Sequence, residues 1–246
     1  MANKREWTSP SVPPTLAKNE VHIWRASQSV EPAVLSRLRA HLDSAEKARA
    51  ERFVFPRDRD RFIVARGLLR ELLAGYAGCQ PAEIEFEYGP QGKPSLASPS
   101  SAAVRVSFNV SHSHGLAAYA FALGIPLGID VERVRADFGG TEIAQRYFAP
   151  EEVAELNALP AEARAEAFFL CWTRKEAYIK ARGEGLQIPL TSFRVSLTPG
   201  RPEELRAADG FRWELLSFEP APEYAGAVVV EGRGMSVRYW EAGAFR

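Results

Sequence analysis

The chain has almost no cysteine. Cys79 and Cys171 are the only two among 246 residues. That is too few for a disulfide framework, so both are expected as free thiols in a reducing compartment. Nor is there an excess of charge of either sign, since 31 Lys and Arg balance 31 Asp and Glu. A general nucleic-acid binder carries a basic surplus, so that class is set aside, and any anion site must come from local clusters of Lys and Arg. No stretch has the apolar length to cross a bilayer. The N-terminal stretch holds Lys4, Arg5, Pro10, Pro13 and Pro14 without an apolar run. It reads as a loose tail over residues 1–20, not a signal peptide. What is present is globular: 46% hydrophobic and 25% charged residues, enough for one large domain or two of about 120 residues each. A cytoplasmic enzyme or binding protein, without membrane or nucleic-acid partners, is the expectation.

Hydrophobic periodicity sets out two similar stretches. Val21–Ala26 alternates as a strand, and Pro32 opens a helix with Val34, Leu35, Leu38 and Leu42 on one face. Ser44 reads as the cap of a helical turn that carries Lys47, Arg49 and Arg52. A long helix follows from about Arg57 to Tyr76, its buried stripe expected to be Phe62, Ala65, Leu69, Leu72 and Leu73, with Gly75 and Gly78 ending it. Then come a strand over 84–88, the loop Gly89–Pro94, a Ser/Ala/Pro-rich linker over 95–103 and a strand from Val104 to Val110. A polar turn at Ser111-His112-Ser113-His114-Gly115 precedes strands at 116–123 and 127–134. The second half repeats the order: short helices at 141–147 and from Pro150, a long helix over 161–182, and strands at 192–197, 212–218, 225–231 and 235–241. This predicts an α+β fold of two similar halves, 21–124 and 125–246, with a ligand cleft between them.

The chemistry-bearing residues lie near that junction. In Leu127-Gly128-Ile129-Asp130-Val131-Glu132-Arg133, Asp130 and Glu132 are two apart on a strand and share a face. Two carboxylates so placed repel each other unless one holds a proton or a cation lies between them. Trp172, Glu176 and Lys180 are spaced i, i+4, i+8 on the second long helix and also share a face. Alone, Glu176 and Lys180 are an ordinary surface ion pair, and Asp130 and Glu132 a polar strand face. Together, three carboxylates converging on one point suit Mg²⁺, which takes oxygen ligands and keeps room for phosphate, with Lys180 facing that phosphate. Ser111 and His112 can bind phosphate oxygens. His112 and His114 could instead share zinc, but the two distant cysteines offer no further natural ligand. Gly92-Lys93-Pro94 puts a lysine on a tight turn without the rest of a phosphate-binding loop. Lys47, Arg49, Arg52 and Arg66 form a basic cluster that could hold another phosphate or simply be a solvated face.

These pieces occur in a particular order. Gly92-Lys93-Pro94, Phe108-Asn109-Val110-Ser111-His112-Ser113, Gly128-Ile129-Asp130-Val131-Glu132, Phe148-Ala149-Pro150-Glu151-Glu152 and Trp172-Thr173-Arg174-Lys175-Glu176-Ala177-Tyr178-Ile179-Lys180 follow one another. That ordered set resembles the 4′-phosphopantetheinyl transferases of the surfactin-synthetase-activating type, from about residue 44 to residue 197. The resemblance implies two α+β halves packed as a pseudo-twofold intramolecular dimer in a monomeric protein. It implies transfer of the phosphopantetheine arm from coenzyme A to a serine of apo acyl or peptidyl carrier proteins of fatty-acid, polyketide or non-ribosomal peptide synthesis. Adenosine 3′,5′-bisphosphate is released. Asp130, Glu132 and Glu176 match the family's Mg²⁺-binding acids, and Glu176 also the residue proposed there to deprotonate the serine. Lys180 matches the lysine at the pyrophosphate, while Ser111 and His112 match coenzyme A contacts, His112 near the 3′-phosphate. Lys93 and Arg49 match further phosphate-binding positions. The chain departs at Tyr88-Gly89, where some relatives carry Arg. Two rivals use the same residues: a Mg²⁺-dependent pyrophosphate or phosphodiester hydrolase, and a non-catalytic module that binds coenzyme A or a carrier protein.

Overall fold

Alternation in the first strand already separates two environments. In the computed structural model, which describes residues 6–11, 14–97 and 105–243, β1 (Glu20–Ser27) sends Trp24 and Ala26 to one side and Val21 and Ile23 to the other, all buried. Lys4, Arg5 and Pro13 of the expected tail, and residues 98–104 of the expected linker and strand, lie outside the described residues.

Three helices cover the first side: α1 (Pro32–His41), α2 (Ser44–Ala50) and α3 (Pro56–Ala77). Proline opens α1 and α3, where its missing N–H costs nothing. The cap of α2 is Asp43, one residue before the expected Ser44. Its carboxylate accepts the Glu46 amide at 2.8 Å, and Glu46 reaches back to the Asp43 amide at 3.1 Å. The buried stripe of α3 is Ile63, Val64, Leu68, Leu69, Leu72 and Leu73, so Phe62 and Ala65 lie at its margin, not within it. Gly78 ends the helix in the left-handed conformation (φ 69°), whereas Gly75 stays inside it.

A small hairpin, β2 (Phe86–Tyr88) with β3 (Pro94–Leu96), leads to β4 (Val106–Ser113) and β5 (Leu116–Leu123). The expected polar turn at Ser111–Ser113 is instead the end of β4. The turn is only His114-Gly115, both at positive φ, as a two-residue hairpin requires. Polar residues alternating at 109, 111 and 113 mark a strand that faces a polar edge, and residue type alone made them look like a loop.

The second half contains β6 (Leu127–Arg133), α4 (Thr141–Tyr147), α5 (Pro150–Ala158), α6 (Ala161–Arg182), β7 (Arg194–Val195), β8 (Leu205–Arg206), β9 (Trp213–Phe218), β10 (Tyr224–Glu231) and β11 (Ser236–Glu241). The strand expected over 192–197 shrinks to β7, and β8, its short partner, was not foreseen. Like α3, α6 runs 22 residues and ends on a left-handed glycine, Gly183 (φ 73°).

The strands form two main sheets, ordered β11-β1-β5-β4 and β6-β10-β9. β11 pairs parallel with β1, so the last strand of the chain joins the sheet of the first half. The N-terminal segment follows it: Trp7 packs on Phe218 and Tyr239, and the Thr8 amide bonds to the Tyr239 carbonyl at 3.3 Å. That part of the expected loose tail is held against the fold.

Helices α1 and α3 pack on one face of the first sheet, and α6 packs on one face of the second. The remaining faces meet each other through Val21, Ile23, Ala118, Ala120, Ile129, Val131, Val228 and Val230, all wholly buried. Burying each Val or Ile side chain is worth about 1.5–3 kcal/mol, so parting the halves would expose a core. The expected α+β architecture of two units is therefore an α/β/β/α stack with β4 and β6 at adjoining edges. No helix among the described residues is long and apolar enough to cross a membrane.

Candidate active site

The site grows from the contact between β6 and α6. Strand alternation turns Ile129 and Val131 into the inter-sheet core, which leaves Gly128, Asp130 and Glu132 facing α6. At Gly128 the helix backbone lies directly on the strand: a Cβ there would fall 2.2 Å from the Ala177 carbonyl oxygen and 2.3 Å from the Ala181 nitrogen. No side chain fits, and this approach brings the face carrying Trp172, Glu176 and Lys180 against Asp130 and Glu132.

Those five residues, with Val110, Ser111 and His112 from β4, line one open cleft of about 360 Å³. Lys180 Nζ donates to Asp130 Oδ1 at 2.6 Å and to Ser111 Oγ at 3.2 Å. Ser111 Oγ donates to the same Asp130 oxygen at 2.8 Å. The other carboxylate oxygen, Asp130 Oδ2, is buried and has no hydrogen-bond partner among the described residues. Glu132 Oε2 accepts from Ser113 Oγ at 2.7 Å. Burial, then the Asp130 carboxylate, raises the Glu176 carboxyl above its ordinary range, and Glu132 adds to this while Lys180 opposes it. Glu132 is raised too, chiefly by burial, although the Ser113 hydrogen bond pulls the other way. Two carboxyls reluctant to lose their protons, Glu132 and Glu176, suit a cation.

Asp130, Glu132 and Glu176 all line this one cleft. Among the described residues they do not stand close enough together to form a ready-made metal cage, and neither His112 nor His114 belongs to one. The Lys180 ammonium serves as the cation at Asp130.

His112 reaches the cleft from the side of β4 opposite Ser111. Desolvation lowers its imidazole pKa, and the positive charges of Lys180 and Arg61 lower it further, so it is neutral at pH 7. Arg61, which sequence reading passed over, projects from α3 onto the β4–β5 turn, its Nη2 3.2 Å from where a Cβ of Gly115 would stand. It forms no ion pair among the described residues. The available signal was the charge run Arg57-Asp58-Arg59-Asp60-Arg61, which hides one unpaired arginine among paired ones: Arg57 and Arg59 bond to Asp58 and Asp60.

Two expected phosphate ligands are not at this cleft. Lys93 Nζ donates to the main-chain carbonyls of Leu127 at 3.0 Å, Lys180 at 2.5 Å and Ala181 at 3.4 Å. It clamps the hairpin of the first half to β6 and to the end of α6, and burial pushes its pKa down to about 8. All three of its donors are directed at backbone. Lys93→Ala is expected to cost about 1–3 kcal/mol, the penalty for buried acceptors left unpaired. Denaturant melts should show that loss, with KM for coenzyme A moving less than about twofold. Arg49 is exposed and lies over the Phe62 ring, 5.1 Å from its centroid, on α2. Arg66, of the same expected cluster, is taken up by Glu46 and Tyr88.

The Phe148–Glu152 segment and Lys175 also have a structural place. Glu152 and Lys175 form a fully buried ion pair at 2.7 Å. Glu152 accepts the Ala149 and Val195 amides, and Lys175 donates to the Leu190 and Phe193 carbonyls. The pair ties α5, α6 and β7 together. Cys171, beside it, is buried and its thiol is raised well above its ordinary pKa by desolvation, while Cys79 is partly buried, and both are free.

Most of the chain is similar to known proteins. A model of the 4′-phosphopantetheinyl transferase superfamily matches residues 126–229, and one of the N-terminal part of such a transferase matches residues 23–122. The chain is 40% identical over 226 residues to the 4′-phosphopantetheinyl transferase HetI of Nostoc sp., covering 92% of this chain and 94% of that protein. It is 30% identical over 193 residues to the 4′-phosphopantetheinyl transferase Sfp of Bacillus subtilis, covering 78% and 83%. A solved holo-[acyl-carrier-protein] synthase of Thermotoga maritima is 23% identical over 45% of this chain and 65% of that one, with a TM-score of 0.37.

Proposed function

The chain belongs to the 4′-phosphopantetheinyl transferase superfamily, and we propose that it moves the phosphopantetheine arm of coenzyme A onto a carrier-protein serine in the cleft between β6 and α6. The observation that carries this reading is the convergence of Asp130, Glu132, Glu176 and Lys180 on one cleft, with Asp130 Oδ2 buried and unpartnered.

The donor set fits Mg²⁺ in its chemistry, because the three acids are hard oxygen ligands and one buried oxygen has no hydrogen-bond partner among the described residues. Asp130, Glu132 and Glu176 would hold the ion. When bound, it neutralises charge on the pyrophosphate of coenzyme A.

The chain's own groups do the rest. Lys180 binds pyrophosphate oxygens, and Ser111 Oγ, which accepts from the ammonium and donates to Asp130, holds it in place for them. Glu176, which makes no hydrogen bond among the described residues, takes the proton of the attacking serine hydroxyl, directly or through one water. The serine oxygen forms a bond to the β-phosphorus of coenzyme A. The bond from that phosphorus to the leaving oxygen breaks, and adenosine 3′,5′-bisphosphate departs. His112, where the charge of Arg61 is felt, receives the 3′-phosphate. His112→Ala is expected to raise KM for coenzyme A about tenfold, the loss of roughly one charge-assisted hydrogen bond. It should leave KM for dephospho-coenzyme A near that of the parent. Equal penalties with both substrates would remove His112 from the 3′-phosphate.

The test of the function is intact-mass analysis of apo carrier proteins incubated with coenzyme A and Mg²⁺. One phosphopantetheine per carrier is expected, with coenzyme A left whole when carrier is omitted. Cleavage of coenzyme A without carrier would support the hydrolase instead. The relatives named as transferases and the intact acid set disfavour both the hydrolase and the non-catalytic module.

A further inference from the structure

β4 and β6 are edge strands of different sheets, and each edge leaves a row of main-chain groups to satisfy. The two strands share no main-chain ladder. Side chains take its place: Asn109 Oδ1 accepts the Ile129 amide at 2.9 Å, Ser111 Oγ the Val131 amide at 3.3 Å and Ser113 Oγ the Arg133 amide at 3.3 Å. Three acceptors two residues apart on β4 meet three amides two residues apart on β6. At two rungs the same hydroxyl turns its proton to the neighbouring acid, Ser111 to Asp130 and Ser113 to Glu132. The third rung is an acceptor only, and the residue before its amide is Gly128, which has no side chain to hold. A hydroxyl can accept from an amide and donate to a carboxylate at once, whereas an amide oxygen can only accept.

We propose that Asn109, Ser111 and Ser113 form a side-chain ladder that sets the register between the two halves, and that Ser113 is a positioning residue that aims Glu132 into the cleft. The Ser113 proton is committed to Glu132, so His114 Nδ1, 2.9 Å from the same oxygen, must be the donor in that contact and fix the hydroxyl from the turn. A slip of one residue between β4 and β6 would set Val110 and His112 where the serines stand and leave both acids without their hydroxyls. The positioning part of this inference rests on the Mg²⁺ reading of the cleft, whereas the ladder does not.

Amide hydrogen exchange and Mg²⁺ titration calorimetry in the presence of coenzyme A test it on the full chain. Ser113→Ala is expected to lose protection at the Arg133 amide by at least about tenfold while Ile129 stays protected, and to bind Mg²⁺ about tenfold more weakly, the scale for a lost partner of a metal ligand. Ser113→Thr, which keeps the hydroxyl, should restore both. Asn109→Ala should expose the Ile129 amide and leave Mg²⁺ affinity within about twofold of the parent. Parental protection of Arg133 in Ser113→Ala would overturn the ladder. Lost protection with parental Mg²⁺ affinity would overturn the positioning role. A parent that binds no Mg²⁺ would instead sink the metal reading, and the exchange data alone would still decide the ladder.

Discussion

Glu176→Gln is expected to lower turnover on coenzyme A and a carrier protein by about a thousandfold, within the range for loss of a general base. The variant should melt no earlier than the parent. Both outcomes come from one cause. Burial, Asp130 and Glu132 hold the Glu176 carboxyl above its ordinary value near 4.5, with Lys180 opposing them. The folded state therefore binds more protons than the unfolded state between that value and the raised one. Stability is lost as pH rises through this window, and above it the ionised group is a net burden. Gln keeps the shape and removes the charge, so it relieves that burden while it abolishes proton acceptance. The same shift sets the acid limb of the pH–rate profile. Activity that needs the carboxylate is full above the raised pKa and falls as pH drops through it. Added Mg²⁺ should move the limb to lower pH, because cation and proton compete for the same oxygens. Parental turnover in Glu176→Gln would end its role as base.

Gly128→Ala is the largest expected effect on folding. The Cβ would meet main-chain atoms at 2.2 and 2.3 Å, and backbone cannot swing aside as a side chain can. A cost of about 3 kcal/mol or more follows, at or beyond the upper end of overpacking. Against a typical total of roughly 5–15 kcal/mol, the variant should lose much of its stability in urea. Whatever remains folded must carry α6 farther from β6, which draws Glu176 and Lys180 away from Asp130. Residual activity should therefore fall further than the folded fraction. A variant that melts and turns over like the parent would show that α6 does not rest on this residue.

The two long helices, most strands and the alternation of β6 were legible because hydrophobic periodicity is local, and a 22-residue helix repeats its signal many times. Short elements were not. β7 and β8 have two residues each and exist through pairing with each other. Ser111 and Ser113 looked like a turn because polar side chains beside a glycine commonly make one. Their strand character depends on the amides of β6, which sequence distance hides. Cap placement at Asp43 instead of Ser44 turned on a reciprocal bond with Glu46, which stands three residues after Asp43 but only two after Ser44.

By itself the sequence determined the residue types of the site and their local faces: Asp130 beside Glu132 by the strand's period of two, Glu176 beside Lys180 by the helix's period of 3.6. Side-chain direction along one element follows from backbone geometry and needs no partner. The tertiary structure decided everything that depends on distance between elements. Gly128 let α6 settle on β6, and the β4 side chains held β6 in register, so the two faces became one cleft. The same packing turned Lys93 to backbone carbonyls, left Arg49 over an aromatic ring and set Arg61, which has no ion pair among the described residues, where its charge is felt at His112. A lysine or arginine is long enough to serve any of several partners, and only the fold chooses among them.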